Sequence, residues 1–580
     1  MKQLMTGNEA IALGAWEAGV NVVAAYPGTP STEITENAAK YDELYAEWAP
    51  NEKVALEVAI GAAISGGRAM ACMKHVGVNV AMDPLMTVAF SGTEGGLVLV
   101  TADDPGMHSS QNEQDNRRLG RFAKIPVLEP ADAEECRDFV KAAFVISETL
   151  DTPVMLRLTT RVAHSQSLVE KGERINRELP PYRKDPQKYV MVPANAKPRH
   201  TVAEERLLKL KTYSDETELN RIEKNSETIG VICSGIVYAY VKEALPDASV
   251  LKIGLSNPLP EQLIRTFAAS VETLYVIEEL DDVMEEQVRA MGIKTHGKDI
   301  FSLEGEVFPE IIREKLCGEK TVPAYRYDKE LVVRPPVLCA GCPHRGTFHV
   351  LKQAKVNVLG DIGCYTLGAL PPLSAIDTTI CMGAGIGMAL GMEKVRGKDF
   401  AKQTVAVIGD STFLHSGITG LIDAVYNKGC TTTIILDNHI TAMTGHQQNP
   451  LTGFTVKGEP AGKLHLETIV KGLGIDRVSV VDPFDLKTFA AVLKEELATE
   501  EPSVIIARRP CELLLKGARE ACYIDSERCL RCGKCLKIGC PAIEKTGVGK
   551  PPVIKSELCV GCGLCERVCG NDGVITKVGE

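Results

Sequence analysis

The stretch "VIGDSTFLHSGITGLIDAVYNKGCTTTIILDNHIT" (Val407–Thr441) holds two short apolar runs, each ending on a polar pair, Gly409-Asp410 and Asp437-Asn438. The segment between them reads as a helix, so the stretch predicts strand, helix, strand. Consecutive parallel strands joined in this way end side by side at the carboxyl edge of their sheet. Asp410 and Asn438, 28 residues apart, therefore meet at that edge. A carboxylate, an amide oxygen and a main-chain carbonyl make a hard-oxygen set suited to magnesium holding a diphosphate. Polar pairs at strand ends are also ordinary turn chemistry, and it is the pairing at this distance that argues for a shared site.

Further strands at "TVAVIGD" and "PSVIIARR" extend this α/β domain over residues 335–512. A second one occupies residues 1–167. There Thr6 and Glu9 form a capping box, and "NVVAAYPGTPSTEI" reads as strand, turn and a helix entered through Ser31 or Thr32. Apolar runs at "LVLVTA", "IPVLEP" and "PVMLRL" alternate with helical stretches, the pattern of a doubly wound parallel sheet. Residues 168–226 are polar and read as a long connection with some helix. A smaller α/β domain, with strands at "TIGVICSG", "SVLKIGL" and "TLYVIEEL", covers 227–318, and the linker "GEKTVPAYRYDKELVVRPP" follows. Several domains are what 580 residues require, since one core does not grow that large. A formal charge of −11, spread without long single-sign runs, argues against nucleic acid as a partner. The sequence has no run suited to spanning a membrane and no signal-peptide pattern at its start, so a cytoplasmic location is expected.

Eight of the nineteen cysteines crowd the tail, residues 520–580, as Cys529, Cys532, Cys535, Cys540 and then Cys559, Cys562, Cys565, Cys569. Two such runs in tandem match a pair of 4Fe-4S sites in which three close cysteines hold one cube and the distant fourth crosses to the other. A pair of structural zinc sites is the alternative, although zinc sites pair two CxxC units rather than extending each one. Two departures from the bacterial pattern are visible: four residues precede Cys540, and Gly570 stands where proline is usual.

Gly409, Asp410 and Asn438 resemble the signature of thiamine diphosphate enzymes, Gly-Asp-Gly and a distant Asn, with Ser411 in place of the last glycine. The resemblance implies that Asp410, Asn438 and the carbonyl of Ile440 hold Mg2+. It also sets Gly383 and Gly385 of "MGAGIGMALG" in a helix beside the cofactor, where a plain close helix contact is the other reading. Such enzymes bring a carboxyl group to the aminopyrimidine from a second, similar domain. "NEKVALEVAIGAAISGGRA" resembles that segment of the 2-oxoacid:ferredoxin oxidoreductases and nominates Glu52 as catalytic, with Glu57 as its competitor and a helix-surface carboxylate as the bland alternative. "AYPGTPSTE" resembles the turn of the same family that puts a threonine, here Thr29, near the substrate; an N-cap region would use the same residues. His75 in "MKHVGVN" is a further candidate for the pocket, or a structural histidine. Cys339, Cys342, Cys364 and Cys511 fill the places of the family's third cluster, beside the thiazolium, with a zinc knuckle or free thiols as alternatives. Cys72, Cys136, Cys233 and Cys381 read as small core residues.

The whole order, with "CPHRG" and "MTGHQ", is similar to the large (alpha) subunits of indolepyruvate:ferredoxin oxidoreductases. The fold implied is multidomain α/β: pyrimidine-type and diphosphate-type doubly wound sheets, a transketolase-C-like domain and a two-cluster ferredoxin-like domain. The activity implied is oxidative decarboxylation of arylpyruvates with coenzyme A, electrons leaving through three 4Fe-4S clusters to an external ferredoxin. A separate small (beta) subunit and a heterotetramer of two large and two small chains go with it. Phenylglyoxylate- or pyruvate-type oxidoreductases are rival readings, and Ser411 leaves room for a non-catalytic electron carrier or scaffold.

Overall fold

The computed structural model describes residues 2–320, 329–332, 334–517 and 519–577. Of the predicted linker at 318–336, residues 321–328 and 333 lie outside that description, as do 578–580 at the end of the predicted tail. The chain divides into two compact units, one of Met1–Asp328 with Val456–Gly458, the other of Lys329–Thr455 with Glu459–Glu580.

The first unit is built on a seven-stranded sheet. In sheet order its strands are Leu255–Asn257, Val127–Leu128, Val154–Thr159, Leu97–Asp103, Ala69–Lys74, Val22–Ala25 and Tyr45–Trp48. All neighbours run parallel except the edge strand Leu255–Asn257. Along Leu97–Asp103, Val98, Val100 and Ala102 face one core while Leu97 and Leu99 face the other. That period of two on a mostly apolar run is what a strand covered on both faces needs, and each such apolar side chain contributes about 1.5–3 kcal/mol on burial. The first helix, Gly7–Glu17, opens with the expected capping box: Thr6 Oγ1 accepts from Glu9 N at 3.2 Å, and Glu9 Oε2 accepts from Thr6 N at 2.8 Å.

A four-stranded sheet follows, ordered Thr273–Ile277, Ile229–Ser234, Ser249–Ile253 and Arg221–Glu223, with only the last antiparallel. Residues from either side of position 226 therefore share this sheet, and Leu255–Asn257 leaves it to edge the larger one. The polar connection contains a 24-residue helix, Pro193–Glu216, whose buried face is Ala203, Arg206, Leu210 and Ser214. Arg206 anchors it by donating to Ala89 O at 3.0 Å and to Asp151 Oδ2 at 2.6 Å.

The second unit carries a five-stranded, all-parallel sheet in the order Asn357–Leu359, Thr404–Gly409, Thr432–Asp437, Ser503–Arg508, Val478–Val481. Val405, Val407, Ile434, Leu436 and Ile505 fill one face; Ala406, Ile408, Ile435, Val504 and Ile506 fill the other. Beyond it the tail has two short antiparallel pairs, Cys522–Ile524 with Ile575–Lys577 and Ile543–Glu544 with Val553–Ile554. Its core is Ile538, Leu564, Val574 and Ile575 packed with Cys535, Cys565, Cys569 and Phe484. Cys72, Cys136 and Cys233 are core residues as expected, whereas Cys381 is exposed, because the run "TTICM" forms a loop before helix Ala384–Arg396 rather than a strand. Among the described residues no helix is long and apolar enough to cross a membrane.

Candidate active site

In the second unit, strands Thr404–Gly409 and Thr432–Asp437 are parallel neighbours with Gly409 opposite Leu436, so Asp410 and Asn438 emerge together at the carboxyl edge. Both are buried. Asp410 Oδ1 accepts from Ser411 N at 2.7 Å and its Oδ2 from His439 N at 3.1 Å, while Asn438 Oδ1 accepts from Ile440 N at 3.2 Å. Burial, and then the carboxylate of Asp437, push the Asp410 carboxyl up to about 8. Asp437 itself is paired with Arg508 at 2.6 Å. A buried carboxyl whose charge its surroundings disfavour is what a divalent cation stabilises, and the neighbouring amide and carbonyl oxygens suit a hard ion.

The three glycines predicted beside this edge are crowded by protein atoms. A Cβ on Gly409 would stand 2.7 Å from the Tyr365 ring, one on Gly385 2.9 Å from Leu359 O, and one on Gly383 2.3 Å from Ser416 Oγ. Gly383 also needs its φ of +82°, which points its N–H at Asp361 Oδ1, 2.9 Å away. Asp361 is a site residue that sequence reasoning missed. It is fully buried, accepts from Tyr365 Oη at 2.9 Å, and burial raises its carboxyl to about 6. The signal was available: "VLGD" ends the strand Asn357–Leu359 as "VIGD" ends its neighbour.

Four cysteines converge at the same edge. Burial, followed by the thiols of Cys511 and Cys339, raises Cys364 to about 11; burial raises Cys342 to about 12, with Cys364 and Cys339 adding to it. Cys511 feels both Cys339 and Asp410, and its N–H donates to Asn438 O at 2.9 Å. All nineteen cysteines are free thiols. Clustered thiols that mutually oppose ionisation without forming a disulfide suit a metal centre, which needs them as thiolates.

The tail cysteines sort into two sets that cross the sequence order. After burial, Cys569, Cys529 and Cys532 push Cys535 up to about 11. The other set, Cys540 with Cys559, Cys562 and Cys565, lines a shared, partly open cavity. Among the described residues no three His, Cys, Asp or Glu side chains close on a single ion. Cys522, unremarked in the sequence, shares the cavity, and its N–H donates to Cys559 Sγ at 3.3 Å.

In the first unit, Asn51 caps helix Glu52–Ile64, its Oδ1 accepting from Val54 N at 2.9 Å. Glu52 is the first residue of that helix and is 5% exposed; it packs on Gly77, where a Cβ would come within 2.7 Å of its Cγ. Glu57 instead faces solvent and pairs with Lys53. Thr29 follows strand Val22–Ala25, and its carbonyl accepts from Ser109 Oγ at 3.4 Å. His75 is fully buried at the end of strand Ala69–Lys74. Its Nε2 donates to Asn112 O at 3.3 Å, and its Nδ1 is buried without a hydrogen-bond partner. Lys74, also missed from sequence, donates to Ser109 O at 2.6 Å; burial lowers its ammonium to about 8, opposed by Asp104.

Three family models match this chain. Residues 13–229 match the thiamine diphosphate-binding domain of pyruvate flavodoxin/ferredoxin oxidoreductases. Residues 361–507 match the C-terminal TPP-binding domain of thiamine pyrophosphate enzymes, and 521–570 a 4Fe-4S dicluster domain. Two coenzyme-binding sheets and an iron–sulfur tail on one chain define a thiamine diphosphate-dependent 2-oxoacid:ferredoxin oxidoreductase. Indolepyruvate oxidoreductase subunit IorA of Archaeoglobus fulgidus is 42% identical over 99% of this chain and 97% of its own. That of Pyrococcus horikoshii is 40% identical over 100% and 97%. The chain belongs to this IorA family. A 2-oxoglutarate:ferredoxin oxidoreductase structure from Magnetococcus marinus aligns with 55% of this chain and 65% of its own, at 18% identity and a TM-score of 0.47.

Proposed function

We propose that this enzyme oxidatively decarboxylates arylpyruvates of the indolepyruvate and phenylpyruvate type. A 2-oxoacid and coenzyme A become an arylacetyl-CoA, carbon dioxide, a proton and two electrons, and the electrons pass to ferredoxin. Thiamine diphosphate supplies the electron sink that lets a 2-oxoacid lose carbon dioxide. Asp410, Asn438 and the Ile440 carbonyl hold Mg2+ on its diphosphate, Glu52 supplies the carboxyl for its aminopyrimidine, and Thr29 and His75 contact substrate. Cys339, Cys342, Cys364 and Cys511 hold one 4Fe-4S cluster, and the two tail sets hold two more.

One contact carries this reading: the Cys511 N–H donates to the Asn438 carbonyl at 2.9 Å, making a proposed iron ligand and a proposed magnesium ligand hydrogen-bonded neighbours. Electrons released at the coenzyme then have an acceptor one residue contact away. The domains in this scheme are residues 1–167 (pyrimidine-type), a connection at 168–226, 227–318 (transketolase-C-like), 335–512 (diphosphate-type) and 520–580 (ferredoxin-like). The chain's relatives carry a subunit name, so it works with a partner chain. We take that partner to be the small subunit of a cytoplasmic heterotetramer. The test is anaerobic dye reduction against a panel of 2-oxoacids, with and without coenzyme A and the small subunit. Indolepyruvate or phenylpyruvate should be fastest and require coenzyme A; pyruvate or phenylglyoxylate in first place would defeat the substrate reading.

A further inference from the structure

Arg345 stands between two of the cysteine sets. It is 3% exposed and lies in the first turn of helix His344–Ala354, three residues beyond Cys342. Its guanidinium donates to carbonyls on both sides. Nε reaches Cys339 O at 2.9 Å and Nη2 reaches Leu338 O; Nη1 reaches Ile538 O at 2.8 Å and Gly539 O at 2.6 Å. The first two carbonyls belong to the segment carrying Cys339, and the other two directly precede Cys540. The same side chain lines the cavity of Cys540, Cys559, Cys562 and Cys565. All four hydrogen-bond partners are neutral, so this buried charge is satisfied in geometry without being cancelled by a carboxylate.

We propose that Arg345 is a positioning residue for electron transfer. Its charge raises the reduction potential of the cluster held by Cys540, Cys559, Cys562 and Cys565, and its hydrogen bonds fix that cluster's spacing from the one held by Cys339, Cys342, Cys364 and Cys511. The inference rests on the reading above that both sets hold 4Fe-4S clusters. Reduction adds one negative charge to a cluster, and a fixed cation in a poorly screened interior stabilises that added charge. Each transfer moves one electron, oxidising the cluster beside Asp410 and reducing the tail cluster. No proton accompanies it, because a guanidinium keeps its proton throughout. The two electrons of each turnover thus leave one at a time past a charge that never titrates.

The experiment is redox potentiometry, followed by electron paramagnetic resonance, on the full chain purified without oxygen, with iron and sulfide counted. Wild type, Arg345→Gln and Arg345→Lys are compared. In Arg345→Gln one tail-cluster signal should shift to a more negative midpoint, with the reduced-to-oxidised ratio at fixed potential falling about tenfold, or 59 mV for a one-electron couple. The second tail signal should move less. Arg345→Lys keeps the charge while giving up the forked hydrogen bonds, so its midpoint should stay near the wild-type value. Unshifted midpoints in both variants at full iron content overturn the proposal. If Arg345→Gln loses iron, Arg345→Lys decides alone, and a midpoint about 59 mV or more below wild type with the charge kept overturns it. Wild type with iron for only two clusters defeats the underlying reading and with it the transfer step, while the tail-cluster shift still decides the effect of the charge.

Discussion

Glu52 and Glu57 share a helix and differ in their surroundings. Glu52 is buried at the helix start, where the exposed N–H groups favour a negative charge, and it rests on Gly77; Glu57 is spent on a surface pair with Lys53. Glu52→Gln keeps the shape and removes the acid, so kcat should fall by about 10²–10⁴ with the melting temperature little changed. Glu57→Gln should leave both nearly untouched. Gly77→Ala reaches the same carboxyl by another route: the added methyl displaces Glu52 while the helix gains up to about 1 kcal/mol in propensity. Anaerobic dye reduction should therefore show Gly77→Ala losing activity without losing thermal stability. Equal activity in Glu52→Gln and wild type would remove Glu52 from catalysis. Asp410 and Asn438 were readable because two strand ends at one spacing imply a meeting point. Asp361 carried the same cue but had no distant partner to single it out. Lys74 and Cys522 offered no cue, since a lysine at a strand end or a cysteine before a cysteine-rich run gains meaning only from what folding places beside it.

At the scale of elements, the helix Asn116–Ala123 is pinned to the end of strand Thr273–Ile277 by a buried guanidinium. Arg117 pairs with Asp115 at 2.5 Å and with Glu278 at 2.7 Å, and it donates to Glu279 O at 3.0 Å. Glu278 in turn accepts from Met284 N and Glu285 N at the start of helix Val283–Ala290. Arg117→Met leaves Glu278 buried without its guanidinium and Asp115 with only the longer 3.7 Å pair to Arg157, which should cost about 3–5 kcal/mol in urea unfolding. The adjacent Glu279 gives this contact a pH dependence: burial raises its carboxyl to about 7, opposed by Arg157. The folded state holds that proton more tightly than the unfolded chain does. The resulting stability is complete below about pH 4.3 and is lost as pH rises through 7. The melting temperature should fall between pH 5 and 8, and Glu279→Gln should flatten that slope. The elements themselves were legible wherever burial on both faces demands consecutive apolar residues, as at residues 97–100 and 434–436. Helix Pro193–Glu216 was legible only as some helix within a connection, because its buried face includes Arg206 and Ser214, which leaves little apolar periodicity to place its ends. Leu255–Asn257 was hidden because three residues, two of them polar, carry no strand signal.

Across the whole molecule, the two large sheets carry apolar cores of their own, whereas the tail packs around sulfur. With so few apolar side chains, the tail depends on what its cysteines bind, so removing iron should unfold residues 520–577 and leave the parallel sheets intact. Hydrogen exchange before and after anaerobic chelation reads this directly: protection should vanish around Leu564 and Val574 and persist across Thr404–Gly409. The crossing of the two sets makes a sharper demand. Cys540 is close in sequence to Cys529, Cys532 and Cys535, yet it lines the cavity of Cys559, Cys562 and Cys565, while Cys569 stands by Cys535. Cys540→Ser should therefore disturb the same paramagnetic signal as Cys562→Ser, and Cys569→Ser the same signal as Cys532→Ser. If each substitution instead tracks its neighbours in sequence, the two runs hold independent clusters and the tail is two small modules. If the signals cross, neither run can close its cluster until the other has folded onto it, which makes the tail one cooperative unit.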